Sequence, residues 1–320
     1  DRKAATIQAS AKLNGASFTE GYRPVGYGTL PRTNFYTPAT TRIVPVNLNL
    51  PKRHNIAYLP GTGDDIPSAL ASIGLAPTIL TVADLTAANL AHYDTIILGV
   101  RTYAAHPDLH GDPTRALLDY ARNGGNVLVQ YQSPEFTAED APYPLALGAS
   151  EKVVDETAPV KLLFPNSAAS HPTTNSLATN GLATNNSATH SLATHSPATN
   201  RYPEASASGL IATKDKGALA PEYALLTTPN KITSADFNNW IEERGHGFLA
   251  TWDAHYTALT ETHDPGAPSE HVAPQLPQRG GLITVHLGKG RWTYCAFALY
   301  RQLPEAVPGA YRLFMNLINP

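Results

Sequence analysis

Two adjacent carboxylates, Asp64 and Asp65, follow an apolar run and the turn Pro60-Gly-Thr-Gly63. Carboxylates paired in a turn suit a divalent metal or the hydroxyls of a sugar. They equally suit structure, with Asp65 capping a helix that starts at Ile66 and Asp64 decorating the turn. Gly61-Thr-Gly63 lacks the third glycine of a dinucleotide fingerprint, and the two carboxylates would repel a pyrophosphate. Arg101 follows another apolar run, where a guanidinium is costly unless it is paired. It is expected to clamp an anion or to pair with Asp64 or Asp65. Tyr103 stands two residues on, Gln132 and Ser133 follow a third apolar run, and Tyr300, Arg301 and Gln302 follow a fourth. Open α/β sheets place ligands outside the carboxyl ends of their strands. That rule makes Asp64, Asp65, Arg101, Tyr103, Gln132, Tyr300 and Arg301 the candidate ligand-binding residues.

Other chemistry-bearing residues read as structural. Glu242, Glu243 and Arg244 are consecutive charges on an expected helix, a solvated face. Cys295 is the single cysteine. It lies in the apolar run Trp292 to Leu299, far from the helix terminus or cation that would make a reactive thiolate. His106-Pro-Asp108 and His110 echo a zinc-binding pattern, but a second Asp and a partnering Glu are missing. A Gly-x-Ser-x-Gly elbow is absent from the sequence. No metal and no cofactor are expected in this chain.

The elements that would position these residues alternate strand and helix. Asn55–Leu59, Thr78–Val82, Thr95–Val100 and Asn126–Tyr131 are continuously apolar, as strands covered on both faces are. Helices are expected from Ile66 to Ile73, ended by Gly74, and from Thr114 to Arg122, ended by Asn123-Gly-Gly125. Further on, Phe237, Trp240 and Ile241 at helical spacing predict a helix over 236–244. Gly281–Leu287 and Arg291–Leu299 read as a hairpin, and Tyr311–Ile318 as a closing helix. The pattern predicts α/β architecture, a doubly wound, mostly parallel sheet spanning 51–320. Residues 1–50 differ: short extended pieces between Pro and Gly, expected as the tail of a preceding β-domain or as added strands. From about 167 to 222 the Ala-Thr-Asn and Ala-Thr-His units form a low-complexity insertion, with His171, His190 and His195 inside it.

Hydrophobic residues make up 42% and charged residues 15%, and the formal net charge is −3. That balance provides no electrostatic pull toward nucleic acid. No apolar run is long enough for a membrane span. The first residues carry no signal-peptide core, and a start without Met is expected of a fragment or a processed chain. The Thr-, Asn-, Pro- and Tyr-rich composition leans toward an extracytoplasmic protein.

Several stretches together resemble one module. They are Asn55–Asp65, Gly99-Val-Arg101, Ala116–Gly125, Val129–Gln132, Thr228–Thr233, Trp240–Gly245, Ala298–Pro304 and Val307–Arg312. Their likeness is to the C-terminal region of bacterial PIG-L (LmbE-like) deacetylase proteins, and it covers most of the chain from about residue 22 onward outside the insertion. The resemblance implies a class I glutamine amidotransferase-like (flavodoxin-like) fold in an exported protein. It also implies a separate zinc deacetylase domain, whose zinc would lie outside this chain. The amidotransferase pattern Gly-x-Cys-x-Gly is not met: Gln130-Tyr-Gln132 stands where the cysteine would be, and Tyr300-Arg-Gln302 where a His-x-Glu pair would be. The expected function is therefore a non-catalytic accessory domain of a PIG-L-type deacetylase that binds a glycan. The alternatives are a hydrolase acting at Asp64 or Asp65 with Arg101, and a structural or oligomerising module. Its partners would be a glycan and the deacetylase domain.

Overall fold

The computed structural model describes residues 4–26, 28–149, 151–165 and 220–320. The expected low-complexity insertion and its three histidines lie almost wholly outside the described residues.

The N-terminal segment forms six short strands: β1 (Ala5–Gln8), β2 (Ala11–Leu13), β3 (Ala16–Phe18), β4 (Glu20–Val25), β5 (Thr33–Pro38) and β6 (Thr40–Ile43). They pair as three antiparallel ribbons, β1 with β6, β2 with β3, and β4 with β5. The ribbons meet where Ala9 N–H donates to Ala39 and Ala39 N–H donates to Thr19. None of these strands joins the main sheet. Ile7, Phe18, Tyr22, Phe35, Tyr36 and Ile43 are all exposed, so the ribbons enclose no core of their own. Beyond the ribbons the chain touches the body at Asn47, whose C=O accepts from Arg312 Nη1, and at Asn49, whose N–H donates to Asn230 Oδ1.

The body follows as β7 (Ile56–Leu59), α1 (Ile66–Ser72), β8 (Thr78–Ile79), α2 (Ala87–Leu90), β9 (Thr95–Leu98), α3 (Thr102–Ala105), α4 (Asp112–Arg122) and β10 (Asn126–Gln130). Then come β11 (Leu145–Leu147), β12 (Lys152–Val153), β13 (Val160–Leu162), β14 (Gly245–His246), β15 (Leu249–Trp252), β16 (Thr257–Ala258) and β17 (Thr260–Thr262). The chain closes with β18 (Leu282–Leu287), β19 (Gly290–Cys295), α5 (Leu299–Gln302) and α6 (Pro308–Leu317). One sheet holds seven strands in the order β16-β18-β19-β10-β9-β7-β8. Its centre is buried throughout: every residue of β7, β9, β10 and β19 is buried.

The doubly wound, mostly parallel fold expected from the sequence is not what forms. The seven-stranded sheet is mixed, with β16 and β18 antiparallel to their neighbours. Six two-stranded antiparallel pairs, separate from that sheet, complete the strands of the described residues. Helices are few and short; three of the six α-helices have four residues. The apolar runs read alike in parallel and mixed sheets, because burial and not strand direction makes a strand apolar. The long connection between β10 and β19 decides the difference. Its described part folds as antiparallel pairs (β11 with β15, β12 with β14, β13 with β17) rather than as a crossover helix.

Two local expectations also change. The second expected strand shrinks to Thr78–Ile79, an exposed edge. The helix expected over 236–244 is only a 3-10 turn at Ser234–Phe237. Asn239 and Glu242 take left-handed backbone angles there (φ 59° and 63°), which a helix cannot hold. Gln302 accounts for the open path. Its buried amide accepts from Ile241 N–H and donates to Ile241 C=O, both at 2.9 Å.

Candidate functional site

The parallel strands β7, β9, β10 and β19 end together, and the segments leaving them form one rim. Leu59 is in register with Leu98 and Val129 with Leu98. The loop after β7 lies directly on the loop after β9: Thr62 N–H donates to Val100 C=O at 2.9 Å. Gly61 permits this approach, since a Cβ there would sit 1.8 Å from Val100 O.

Asp64 is absorbed by that approach. Both of its carboxylate oxygens accept from Tyr58 Oη, at 2.7 and 2.6 Å, and Oδ1 also accepts from Ile66 N–H at 3.0 Å. The expected capping is thus reversed: Asp64 bonds the start of α1, while Asp65 is exposed and makes no side-chain cap bond. Burial foremost, then the charge of Asp64, pushes the Tyr58 phenol far above its ordinary range. Asp64 is a structural acceptor, and the expected Asp–Arg101 pair does not form.

Arg101 occupies the sharpest point of the rim. It is the last of the three residues between β9 and α3, with left-handed angles φ 53° and ψ 42°. Such a conformation costs a non-glycine residue about 1–3 kcal/mol and persists only where surrounding bonds enforce it. Here Arg101 N–H donates to Tyr131 C=O at 2.8 Å. Its side chain is half-buried, and Nε donates to Ser133 Oγ at 3.2 Å. Ser133 Oγ donates in turn to Glu135. Nη1 and Nη2 make no hydrogen bond among the described residues. The stem is thus held, and the terminal fork stands within reach of the Glu135 charge without a hydrogen bond to a described residue.

Tyr103 and Gln132 brace this elbow from inside. Tyr103 is buried; its hydroxyl pairs with Thr114 Oγ1 at 3.0 Å and its ring packs on Phe136 and His110. Gln132 accepts from Tyr103 N–H and donates to Gly99 C=O and Gln130 C=O. Both side chains are buried and committed to the fold, with both amide hydrogens of Gln132 spent, although Gln132 lines the cavity described below. The zinc-like echo separates as well. His106 bonds Pro60 C=O and His110 bonds Asp140, and among the described residues no three metal-ligating side chains converge.

Tyr300 and Arg301 also serve the fold. Tyr300 Oη donates to Glu243 Oε1 at 3.0 Å and Arg301 Nε donates to the same oxygen at 2.7 Å; Arg301 also contacts Glu242. With Gln302 gripping Ile241, α5 holds the whole 241–243 loop. Glu243, expected on a solvated face, is buried, and so is Arg244. A third partner reaches the Glu243 carboxylate, the Nε2 of His246.

His246 was not among the residues singled out by sequence. It lines a cavity of about 340 Å³ together with Tyr131, Ser133, Leu147, Glu151 and Lys152. The Tyr131 ring lies 6.0 Å from the His246 ring and stacks on Tyr300 at 6.4 Å. Gly247 makes this closeness possible. Its φ is +65°, and a Cβ there would meet Gln132 O at 2.6 Å and the Tyr131 ring at 2.8 Å. The sequence signal for the site is Glu243-x-x-His246 flanked by Gly245 and Gly247.

Cys295 is fully enclosed in β19, and burial pushes its thiol up to about 12. It carries no thiolate at neutral pH.

No family model matches this chain, and no curated protein matches it. Solved structures do align. A cytoplasmic protein of Salmonella typhimurium matches at 9% identity and a TM-score of 0.40, covering 99% of this chain and 95% of its own. A second, from Salmonella typhimurium LT2, matches at 10% and 0.38 with the same coverage. A cold-adapted β-galactosidase of Rahnella sp. R3 matches at 12% and 0.34, over 84% of this chain and 31% of its own. At these scores the likeness carries no argument about what the chain does. No helix among the described residues is long and apolar enough to cross a membrane.

Proposed function

We propose that this chain is a non-catalytic accessory module that binds carbohydrate beside a PIG-L-type deacetylase domain, in an extracytoplasmic setting. The observation that carries the binding half is Arg101. A strained elbow holds its guanidinium stem, Nε donates to Ser133 in the lining of a cavity that Tyr131 also walls, and Nη1 and Nη2 bond no described residue. Aromatic faces with a few fixed polar groups suit sugar rings, which present C–H patches and hydroxyls together. The deacetylase association is supported by the sequence stretches that resemble that family's C-terminal region.

The test is calorimetric titration of the chain with neutral and N-acetylated oligosaccharides and with cell-wall fragments. Binding by the wild type, weakened at least tenfold by Arg101→Ala with the melting temperature unchanged, is the expected result. Failure of every glycan to bind sinks the reading.

A second reading, an oligomerising module, draws on the exposed apolar residues of the N-terminal ribbons. Large exposed apolar patches mark association surfaces. A mass that rises with concentration in light scattering, with no glycan bound, would favour it.

A further inference from the structure

Arg101 stands behind one wall of the cavity, where its Nε donates to the lining residue Ser133. The other side presents a histidine seated on a buried carboxylate. The segment bearing it is fixed from three directions. Gln302 clamps Ile241, Arg244 N–H donates to Val153 C=O, and Tyr294 Oη donates to Gly247 C=O at 2.6 Å. Glu243 gathers Tyr300, Arg301 and the Nε2 of His246, while the His246 ring stays partly open to the cavity.

An imidazole nitrogen that faces a carboxylate carries its proton, and in the neutral ring the other nitrogen then holds a lone pair. Nε2 is therefore the protonated nitrogen. In that neutral form Nδ1 is the acceptor, and it has no hydrogen bond to a described residue. We propose that His246, positioned by Glu243, accepts a hydrogen bond from a ligand hydroxyl, so that the site recognises a sugar through a specific hydroxyl. This inference rests on the carbohydrate-binding reading and names the group that selects within that class.

Three features fit a sugar. The cavity of about 340 Å³ has room for a single ring. The Tyr131 face, 6.0 Å from the His246 ring, supplies the apolar surface that a sugar's C–H face requires. The lining offers both roles: the Lys152 ammonium can only donate, whereas Nδ1 of a neutral His246 can only accept. Ser133 does not form a nucleophile–base pair with His246. Its hydroxyl donates to Glu135 and accepts from Arg101 Nε.

The experiment pairs two amide substitutions. In His246→Gln the amide falls near the Nε2 position and still meets Glu243, but the acceptor facing the cavity is lost. In His246→Asn the amide falls near Nδ1 and restores an acceptor there. Each variant of the full chain is titrated with neutral and N-acetylated mono- and oligosaccharides, and its melting temperature is recorded. His246→Gln is expected to weaken binding at least tenfold with an unchanged melting temperature, and His246→Asn to recover most of it. Glu243→Gln, which keeps an oxygen for Nε2–H, is expected to retain more binding than Glu243→Leu. Equal binding by His246→Gln and wild type overturns the inference and leaves the carbohydrate reading standing. Equal loss in both His246 variants overturns it too. A wild type that binds none of the sugars overturns the carbohydrate reading itself, and the inference with it.

Discussion

Tyr58 and Asp64 form a closed pair: one buried phenolic hydroxyl bonds both oxygens of the carboxylate, at 2.7 and 2.6 Å. The pair ties β7 to the turn that follows it and takes Asp64 out of any ligand site. Asp64 Oδ2 also lies 3.4 Å from Val100 N–H, so the pair supports the Arg101 elbow from beneath. Tyr58→Phe leaves a part-buried carboxylate short of a donor and is expected to cost about 1–3 kcal/mol. Urea unfolding measures this. Unchanged stability would show that the pair contributes nothing net.

Arg101→Gly separates strain from function. Glycine accepts φ 53° freely but adds chain entropy, so the variant is expected within about 1 kcal/mol of wild-type stability. Glycan binding is expected to be lost, because the guanidinium goes. A melting temperature far below wild type would instead make Arg101 a structural residue.

Gly247→Ala is expected to be severe. The added methyl meets Gln132 O and the Tyr131 ring below 3 Å, at a residue whose φ is +65°. A loss of about 2–3 kcal/mol is expected from overpacking and backbone strain together. Glycan binding should fall further than stability does, since the displaced groups line the cavity. Thermal melts beside titrations on the folded fraction check both parts.

Stability should fail on the alkaline side. Burial raises the Cys295 thiol to about 12, and raises the phenols of Tyr58, Tyr103, Tyr256 and Tyr294 above their ordinary range. A group raised by folding stabilises the protein fully below its unfolded pKa and loses that contribution as pH climbs toward the folded value. With unfolded values near 9 for the thiol and about 10 for the phenols, the melting temperature should drop above about pH 9–10. Circular dichroism melts across that range test it. Alkylation of Cys295 in the folded chain at about pH 8 would contradict the burial on which it depends.

The sequence by itself determined the strands β7, β9 and β10, the helices α1, α4 and α6, and the rim that Arg101 occupies. Continuous apolar runs and 3.6-residue periodicity report burial directly, and the elements appear within a few residues of where they were expected. Strand direction carries no such signature. A run such as Asn126–Gln130 is equally apolar beside a parallel or an antiparallel neighbour, so the mixed sheet and the three antiparallel pairs of the β10–β19 connection were decided by tertiary pairing. Side-chain roles were decided the same way. Asp64, Tyr103, Gln132, Tyr300 and Arg301 are polar residues at strand ends, and nothing local distinguishes a group awaiting a ligand from one already satisfied inside the fold. His246 shows the converse. Its neighbours in sequence are glycines and charges, and it enters the site because Gln302, Glu243 and Gly247, brought together by packing, press its loop against Tyr131. A buried polar group must find its partners wherever the chain brings them, and that matching exists only in three dimensions.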